Sequence, residues 1–407
     1  NATVWAKATQ IIKRRKGQCG MMVKLGEIIT QIRGVSYKPI DVRAAGDPDA
    51  VALLRANNIQ EDGLNFDDLV WVDKQKVSAE QYLRMGDILI CSSSGSKGLV
   101  GKAAIVTNDL PCAFGAFCKV VRTKAEYASY LGQFFRSPRY RKEISASAAG
   151  ANINNIRNEH IDEMLISMPS ENERADCVAK LGKIDYLIQR SNNQSHQLDQ
   201  LVKSRFVEMF EKGEFERIPF EAFCEFMRNG ASIKQTKGAG GYPITRIETL
   251  ANDAFNLDRL GYANITELKG FEKYILQKGD ILISHINSVA YLGRAVQYRG
   301  ESNTPIIHGM NLLCARLRHD CNSTYVEYFF KTPMAKDYIS TITKKAVNQA
   351  SITTTDLKKM PIPAPPLELQ NRFSAFVAEV DKSKLAVTQS LEKLETLKKS
   401  LMQQYFG

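Results

Sequence analysis

Two long stretches of the chain place apolar residues at alternating steps of three and four. In the first, Cys177, Leu181, Ile184, Ile188, Leu198, Val202 and Met209 keep this rhythm, and Ser191 and Ser195 fill the same stripe in the middle. In the second, the stripe runs Phe373, Phe376, Val380, Val387, Leu391, Leu394, Leu397 and Leu401. The rhythm predicts amphipathic helices, one from Arg174 to about Lys212 and one from Glu368 to about Tyr405. Ser170 followed three residues later by Glu173 reads as a capping box at the start of the first. About 40 helical residues make a rod of roughly 60 Å. A rod with one narrow apolar stripe needs a partner helix. The two rods are natural partners, and the segment between them leaves room for the chain to turn and pair them antiparallel.

The remaining sequence alternates short apolar runs with turn residues, the pattern of a mixed α/β globule. Strands are expected at Ile88–Ser92, Ala103–Thr107 and Phe117–Val121, with a helix at Ala125–Arg136. Past the first rod the plan recurs, with strands at Ile281–Ser284, Arg294–Tyr298 and Leu312–Leu317 and a helix at Thr324–Ile342 interrupted at Thr332-Pro333. The sequence Gly-Asp-Ile-Leu-Ile begins at both Gly86 and Gly279, and matched positions lie 193 residues apart at Asp87 and Asp280, 199 at Ala151 and Ala350, and 196 at Pro169 and Pro365. A period near 196 residues is far longer than a solenoid unit. It describes two copies of one globule-plus-helix module. The resulting fold class is α+β, divided as an N-terminal extension (1–22), a first globule (23–169), a central long helix (170–212), a second globule (213–366) and a C-terminal long helix (367–407). A duplicated module suits a ligand with two similar parts.

Charge narrows that ligand. The net charge is +11 and the pI near 9.1, which favours a polyanion, of which nucleic acid is the commonest. No apolar run approaches the roughly 20 residues needed to cross a bilayer. The basic run Lys13–Lys16 has no apolar stretch behind it, so a secretory signal is not expected. The eight cysteines are scattered without a C-x-x-C pair, as in a protein of the reducing cytoplasm. The five histidines show no metal-ligand spacing, so no metal is expected.

Catalytic signatures were sought in the same residues. Gly95–Ala103 approaches a phosphate-binding loop, but its outer glycines are one residue too far apart and Ala103 cannot ligate magnesium. There is no G-x-S-x-G elbow, no Asp/Asn-Pro-Pro-aromatic tetrapeptide and no acidic nuclease cluster. These absences favour a binding protein over an enzyme. What the loops do hold is Ser, Asn, Gln, Lys and Arg, residues that pair with base edges and phosphates but are also ordinary in turns.

Taken with Gly150–Ile156, the two Gly-Asp-Ile-Leu-Ile segments and the run Ile362–Gln370 ahead of the second rod, the arrangement resembles the DNA-specificity subunit of type I restriction–modification enzymes over nearly the whole chain. Ile362–Gln370 is close to that family's I-P-x-P-P-L-x-E-Q signature, with Leu369 in place of Glu; the first copy, Ser167–Glu173, keeps one proline. The resemblance implies two target recognition domains that each read one half of a bipartite double-stranded DNA site. It implies paired helices that fix the unread spacer and dock two adenine methyltransferase subunits, with a motor-nuclease restriction subunit as a further partner. S-adenosylmethionine is then expected on the methyltransferase and no cofactor on this chain, which would be a non-catalytic, cytoplasmic subunit without a membrane role.

Loop placement nominates the DNA contacts. In the first domain they are Tyr37, Lys38, Ser94, Lys97 and Asn152. In the second they are Arg228, Lys234, Arg246, His285, Asn287, Asn348 and Gln349. The subunit interface is expected on the paired helices, at Leu181, Ile184, Ile188, Leu198 and Val202 and at Val380, Val387, Leu391, Leu394 and Leu397. Rival readings are a stand-alone DNA-binding protein that dimerises through its rods, a coiled-coil scaffold for proteins, and an enzyme with an unrecognised site. The recognised bases, the spacer length and the presence of a restriction subunit are not written in the sequence.

Overall fold

A computed structural model describes residues 20–407 except 62, 97, 148–153, 237–239 and 347–348. The chain forms two compact units, one built from residues 1–193 and 388–407, the other from 194–387. Each is a globule together with parts of both long helices.

In the first unit the central sheet has the antiparallel order Ile29–Arg33, Cys118–Thr123, Ile88–Cys91, Ala103–Ile105. The second unit has the same order in Cys224–Asn229, Leu313–Leu317, Ile281–Ile283, Ala295–Gln297. In both, the Ile-Leu-Ile strand is central and fully buried, which is why it reads as an unbroken apolar run. The expected helices appear at Ala125–Phe134 and, in the second unit, as Ser323–Phe329 and Pro333–Ile342, split where Thr332 caps the second piece. The globules differ in their outer lobes. The first carries Val70–Asp73, Ala50–Leu54 and Cys112–Phe114, the last two parallel, whereas the second carries three shorter antiparallel strands between Gln235 and Ala263.

The repeated Gly-Asp has a shared structural reason. Gly86 and Gly279 adopt φ of +90° and +98°, a region that glycine enters without strain. The next residue, Asp87, is buried and takes a bidentate pair from Arg122, Nε to Oδ1 at 2.7 Å and Nη2 to Oδ2 at 2.7 Å, while the Arg84 amide donates to Oδ2. Asp280 repeats this with Arg316 at 2.8 Å on both oxygens and with the Gln277 amide.

The long helices span Glu171–Phe206, continued by a wider turn over Val207–Glu211, and Leu367–Phe406. The capping box at Ser170 is formed, the Ser170 amide donating to Glu173 Oε2 at 2.9 Å. Within the first unit the helices run antiparallel: Asp176 meets Tyr405, Asp185 meets Lys398, Cys177 and Leu181 share a core with Met402 and Phe406, and Ile184 is buried. Within the second they do the same, with Asp199 meeting Lys384, and Val202 and Phe206 sharing a core with Phe373, Val377 and Val380. Ile188, Leu198, Leu391 and Leu394 are half-buried and Val387 is buried.

Leu397 corrects the expected stripe. It is 48% exposed, because the seam passes from Leu394 to Lys398, whose ammonium lies 2.6 Å from Asp185. A charged residue in the seam is invisible to an apolar count. Each unit also closes with a matched clamp. Phe406 lies against Tyr130 and Phe134, and Tyr130 donates its hydroxyl to the Ser167 carbonyl. Phe210 lies against Tyr325, which donates to the Pro363 carbonyl.

The boundary expected at residue 22 moves. Met21–Lys24 pair with Met168–Leu165, so Met21 and Met22 are strand residues of the first globule, and residues 1–19 of the expected extension lie outside the described residues. The long helices do not stand as separate domains, since each is divided between the two compact units.

Candidate nucleic-acid interface

Backbone packing brings the nominated loops of the first domain together. Gly34 lies so close to Gly115 that a Cβ would sit 2.1 Å from its carbonyl oxygen, and the Val35 amide donates to Phe114 at 2.8 Å. This seats the loop carrying Tyr37 and exposed Lys38 beside the turn that joins Phe114 to Cys118. The other face of that turn holds the serine loop. Ser92 N, Ser93 N and Ser92 Oγ all donate to the Phe117 carbonyl, at 2.9, 3.1 and 3.0 Å. Ser93–Ser94 then pair with Asn155–Asn154, which brings half-buried Ser94 to the segment following the nominated Asn152. Lys97 and Asn152 themselves lie outside the described residues.

The second domain repeats the scaffold with other side chains. A Cβ on Gly230 would sit 2.3 Å from the His308 carbonyl, and the Ala231 amide donates to that oxygen at 2.7 Å. Ile286–Asn287 pair with Ser351–Ala350, bringing Asn287 near exposed Gln349; Asn348 lies outside the described residues. Lys234 is exposed. Arg246 is half-buried, 3.5 Å from Glu248, with its side chain close to Gly261. Arg228 stacks its guanidinium 3.5 Å over the Phe226 ring, and its buried Nε has no partner.

His285 is buried, with Nδ1 unpartnered, and burial lowers its pKa, so its imidazole is neutral at pH 7. Burial likewise pushes His308 down to about 4, and the nearby Arg228 and His285 add to that. Asn287 is internally committed: Nδ2 donates to Ser284 Oγ and Oδ1 accepts from the Ser288 amide.

Two features here were not among the nominated contacts. Phe117 and Met310, 70% and 50% exposed, stand on the matching turns; Phe117, expected to open a strand, lies just ahead of Cys118–Thr123 instead. Lys119 is buried in the first domain, its Nζ donating to Gln31 at 2.9 Å and Asn158 at 2.8 Å; a lysine within an apolar strand was the available sign.

The near-phosphate loop borders a polar cleft of about 1070 Å³ that Arg136, Asp185 and Lys398 also line. Three of its amides are spent within the fold, Leu99 N on the Ser96 carbonyl, Gly101 N on Cys91 and Lys102 N on Leu99, and its carbonyls at Gly98 and Val100 accept from Arg141. A phosphate cradle needs the opposite polarity, with free N–H groups turned toward the anion. Among the described residues, no group of His, Cys, Asp and Glu could hold a metal ion, and no helix is long and apolar enough to cross a membrane.

Comparison with known proteins adds independent evidence. A family model for the type I restriction modification DNA specificity domain matches residues 213–398. The chain is 29% identical over 409 aligned residues to the EcoKI specificity subunit of Escherichia coli strain K12, covering 95% of this chain and 88% of that one. It is 36% identical over 207 residues to the putative MjaX specificity subunit of Methanocaldococcus jannaschii, 49% of this chain and 48% of that one. Among solved structures, the S subunit from M. genitalium shares the fold with a TM-score of 0.55 at 12% identity, over 97% of this chain and 98% of that one. A chain from a structure of a type I R-M system shares it with a TM-score of 0.58 at 18% identity, over 95% and 97%.

Proposed function

As this chain belongs to the family of type I restriction–modification DNA-specificity subunits, we propose that its two globules each read one part of a bipartite double-stranded DNA site. The observation that carries this reading is the duplication. The same four-stranded sheet, the same buried Asp–Arg pair and the same aromatic clamp occur twice, under outer lobes that differ. Conserved scaffold beneath variable loops is what two heads reading different bases require. Lysine and arginine contacts to phosphate supply affinity, in keeping with the net charge of +11, and the loop side chains supply base choice.

The long helices dock two adenine methyltransferase subunits in this proposal. Tyr186 and Leu397 in the first unit, and Leu201 and Leu385 in the second, are exposed apolar side chains on helices whose seams are otherwise internal, as a docking surface needs. S-adenosylmethionine belongs to the methyltransferase, a restriction subunit joins the same assembly, and the complex works in the cytoplasm on chromosomal DNA. This chain contributes recognition and no catalytic group.

The test is co-expression with the adjacent methyltransferase gene product, followed by sequencing for N6-methyladenine. A single motif of two parts separated by a constant gap is the expected result. A one-part motif, or a methyltransferase that marks the same motif without this chain, would overturn the proposal.

A further inference from the structure

An exposed large apolar side chain forgoes the stabilisation that burial would give it. In this chain it happens on the same turn of both domains, at Phe117 and Met310, although the turn sequences Gly-Ala-Phe-Cys and Gly-Met-Asn-Leu share little beyond the first glycine. The Phe117 turn is held from two sides. The Gly34–Gly115 approach fixes one end, and three hydrogen bonds from Ser92 and Ser93 converge on the Phe117 carbonyl. The backbone that carries the ring is therefore held between the Tyr37–Lys38 loop and the Ser92–Ser94 loop.

Those two loops offer hydroxyl, ammonium and phenol groups, the chemistry of base edges and phosphates. Of all the groups a base pair shows in the major groove, one is apolar, the 5-methyl of thymine. We propose that Phe117 is the thymine-sensing residue of the first domain, its ring packing on that methyl group while its polar neighbours read the flanking edges. This rests on the reading of the globules as DNA-recognition domains.

The experiment uses the full chain in complex with its methyltransferase and a duplex carrying the methylated motif. Each thymine is replaced singly by deoxyuridine, which lacks only the methyl. The unaltered complex should lose about 3- to 10-fold in affinity at one thymine of one half-site. Phe117→Ala should weaken binding to the normal duplex by a similar factor and be indifferent to deoxyuridine at that position, with an unchanged melting temperature because the ring is exposed. Phe117→Leu should retain part of the discrimination, and Met310→Ala should leave that thymine's discrimination intact.

Several results would overturn the assignment. They are full discrimination kept at every thymine by Phe117→Ala, a motif with no thymine in either half, and failure of the variant to assemble with the methyltransferase. Loss of a stacked-base fluorescence change without methyl sensitivity would make the ring an intercalating wedge instead. Absence of any sequence preference in the unaltered complex would refute the DNA-reading proposal itself, and is distinguishable because it does not depend on residue 117.

Discussion

Replacing Asp87 by Ala empties a site 1% exposed and strips Arg122, 20% exposed, of its bidentate partner. Breaking a buried ion pair on one side costs about 3–5 kcal/mol, because the remaining charge stays in a poor solvent. Arg122 keeps part of its surface in water and still donates to the Glu80 and Tyr82 carbonyls, so the lower end applies. The Arg84 amide also loses its acceptor, adding about 1 kcal/mol. The expected loss is about 3–4 kcal/mol, a large share of the roughly 5–15 kcal/mol that holds a domain together. For a domain of this size it lowers the melting temperature by roughly 6–15 °C.

Differential scanning calorimetry of the whole chain should show the unit containing Asp87 melting early and the other unchanged, and Asp280→Ala should do the converse. The double variant Asp87→Leu with Arg122→Met should recover to within about 1 kcal/mol of the parent, since a well-packed apolar pair replaces a buried ionic one with little loss. A shift under 2 °C for Asp87→Ala, or equal shifts of both transitions, would refute the claim that this pair anchors its own globule.

Other outcomes follow from the same physics. Burial lowers the pKa of Lys119 to about 8, against the pull of Asp162, while the unfolded chain keeps that proton to about 10.5. Between these values the unfolded state binds more protons, so stability rises with pH across that window and is lost again as pH falls through 8. Urea unfolding of the parent and of Lys119→Met at pH 7 to 10 should show the rise, at most about 3 kcal/mol, only in the parent. Phe406→Ala should cost about 3–5 kcal/mol in the first unit and spare the second, with Phe210→Ala doing the reverse, read by the same calorimetry. Gly34→Ala drives a methyl against the Gly115 carbonyl and should cost about 1–3 kcal/mol; footprinting should show protection lost over one half-site and kept over the other.

The duplicated framework was legible because its signals are local. The buried Ile-Leu-Ile strands are short apolar runs, the long helices keep one step rhythm, and the Ser170–Glu173 cap spans four residues. What escaped depends on residues far apart. Asp87 finds Arg122 thirty-five positions away, and nothing in either neighbourhood announces the pairing. Lys398 replaces Leu397 in the helix seam because Asp185 waits on the other helix, a pairing between helices that an apolar count cannot see. In the candidate site, residue type was a fair guide to placement in loops but a poor one to availability. Asn287 is internally hydrogen-bonded and His285 is buried, whereas Phe117, of the wrong type for a polar search, is 70% exposed.

The division of the chain into a contiguous unit, 194–387, and a split one, 1–193 with 388–407, has a consequence for synthesis. The usual order of folding on the ribosome is N-terminal first. Here the N-terminal globule emerges without Met402 and Phe406, two members of its own core. At translation rates of roughly 5–20 residues per second, those residues arrive about 10–40 s after residue 193. The second unit is made during that interval and has all its parts at residue 387, roughly 1–4 s before Phe406, while the first keeps a surface of Tyr130, Phe134 and Leu181 without its cover throughout. The half begun first is therefore the half completed last.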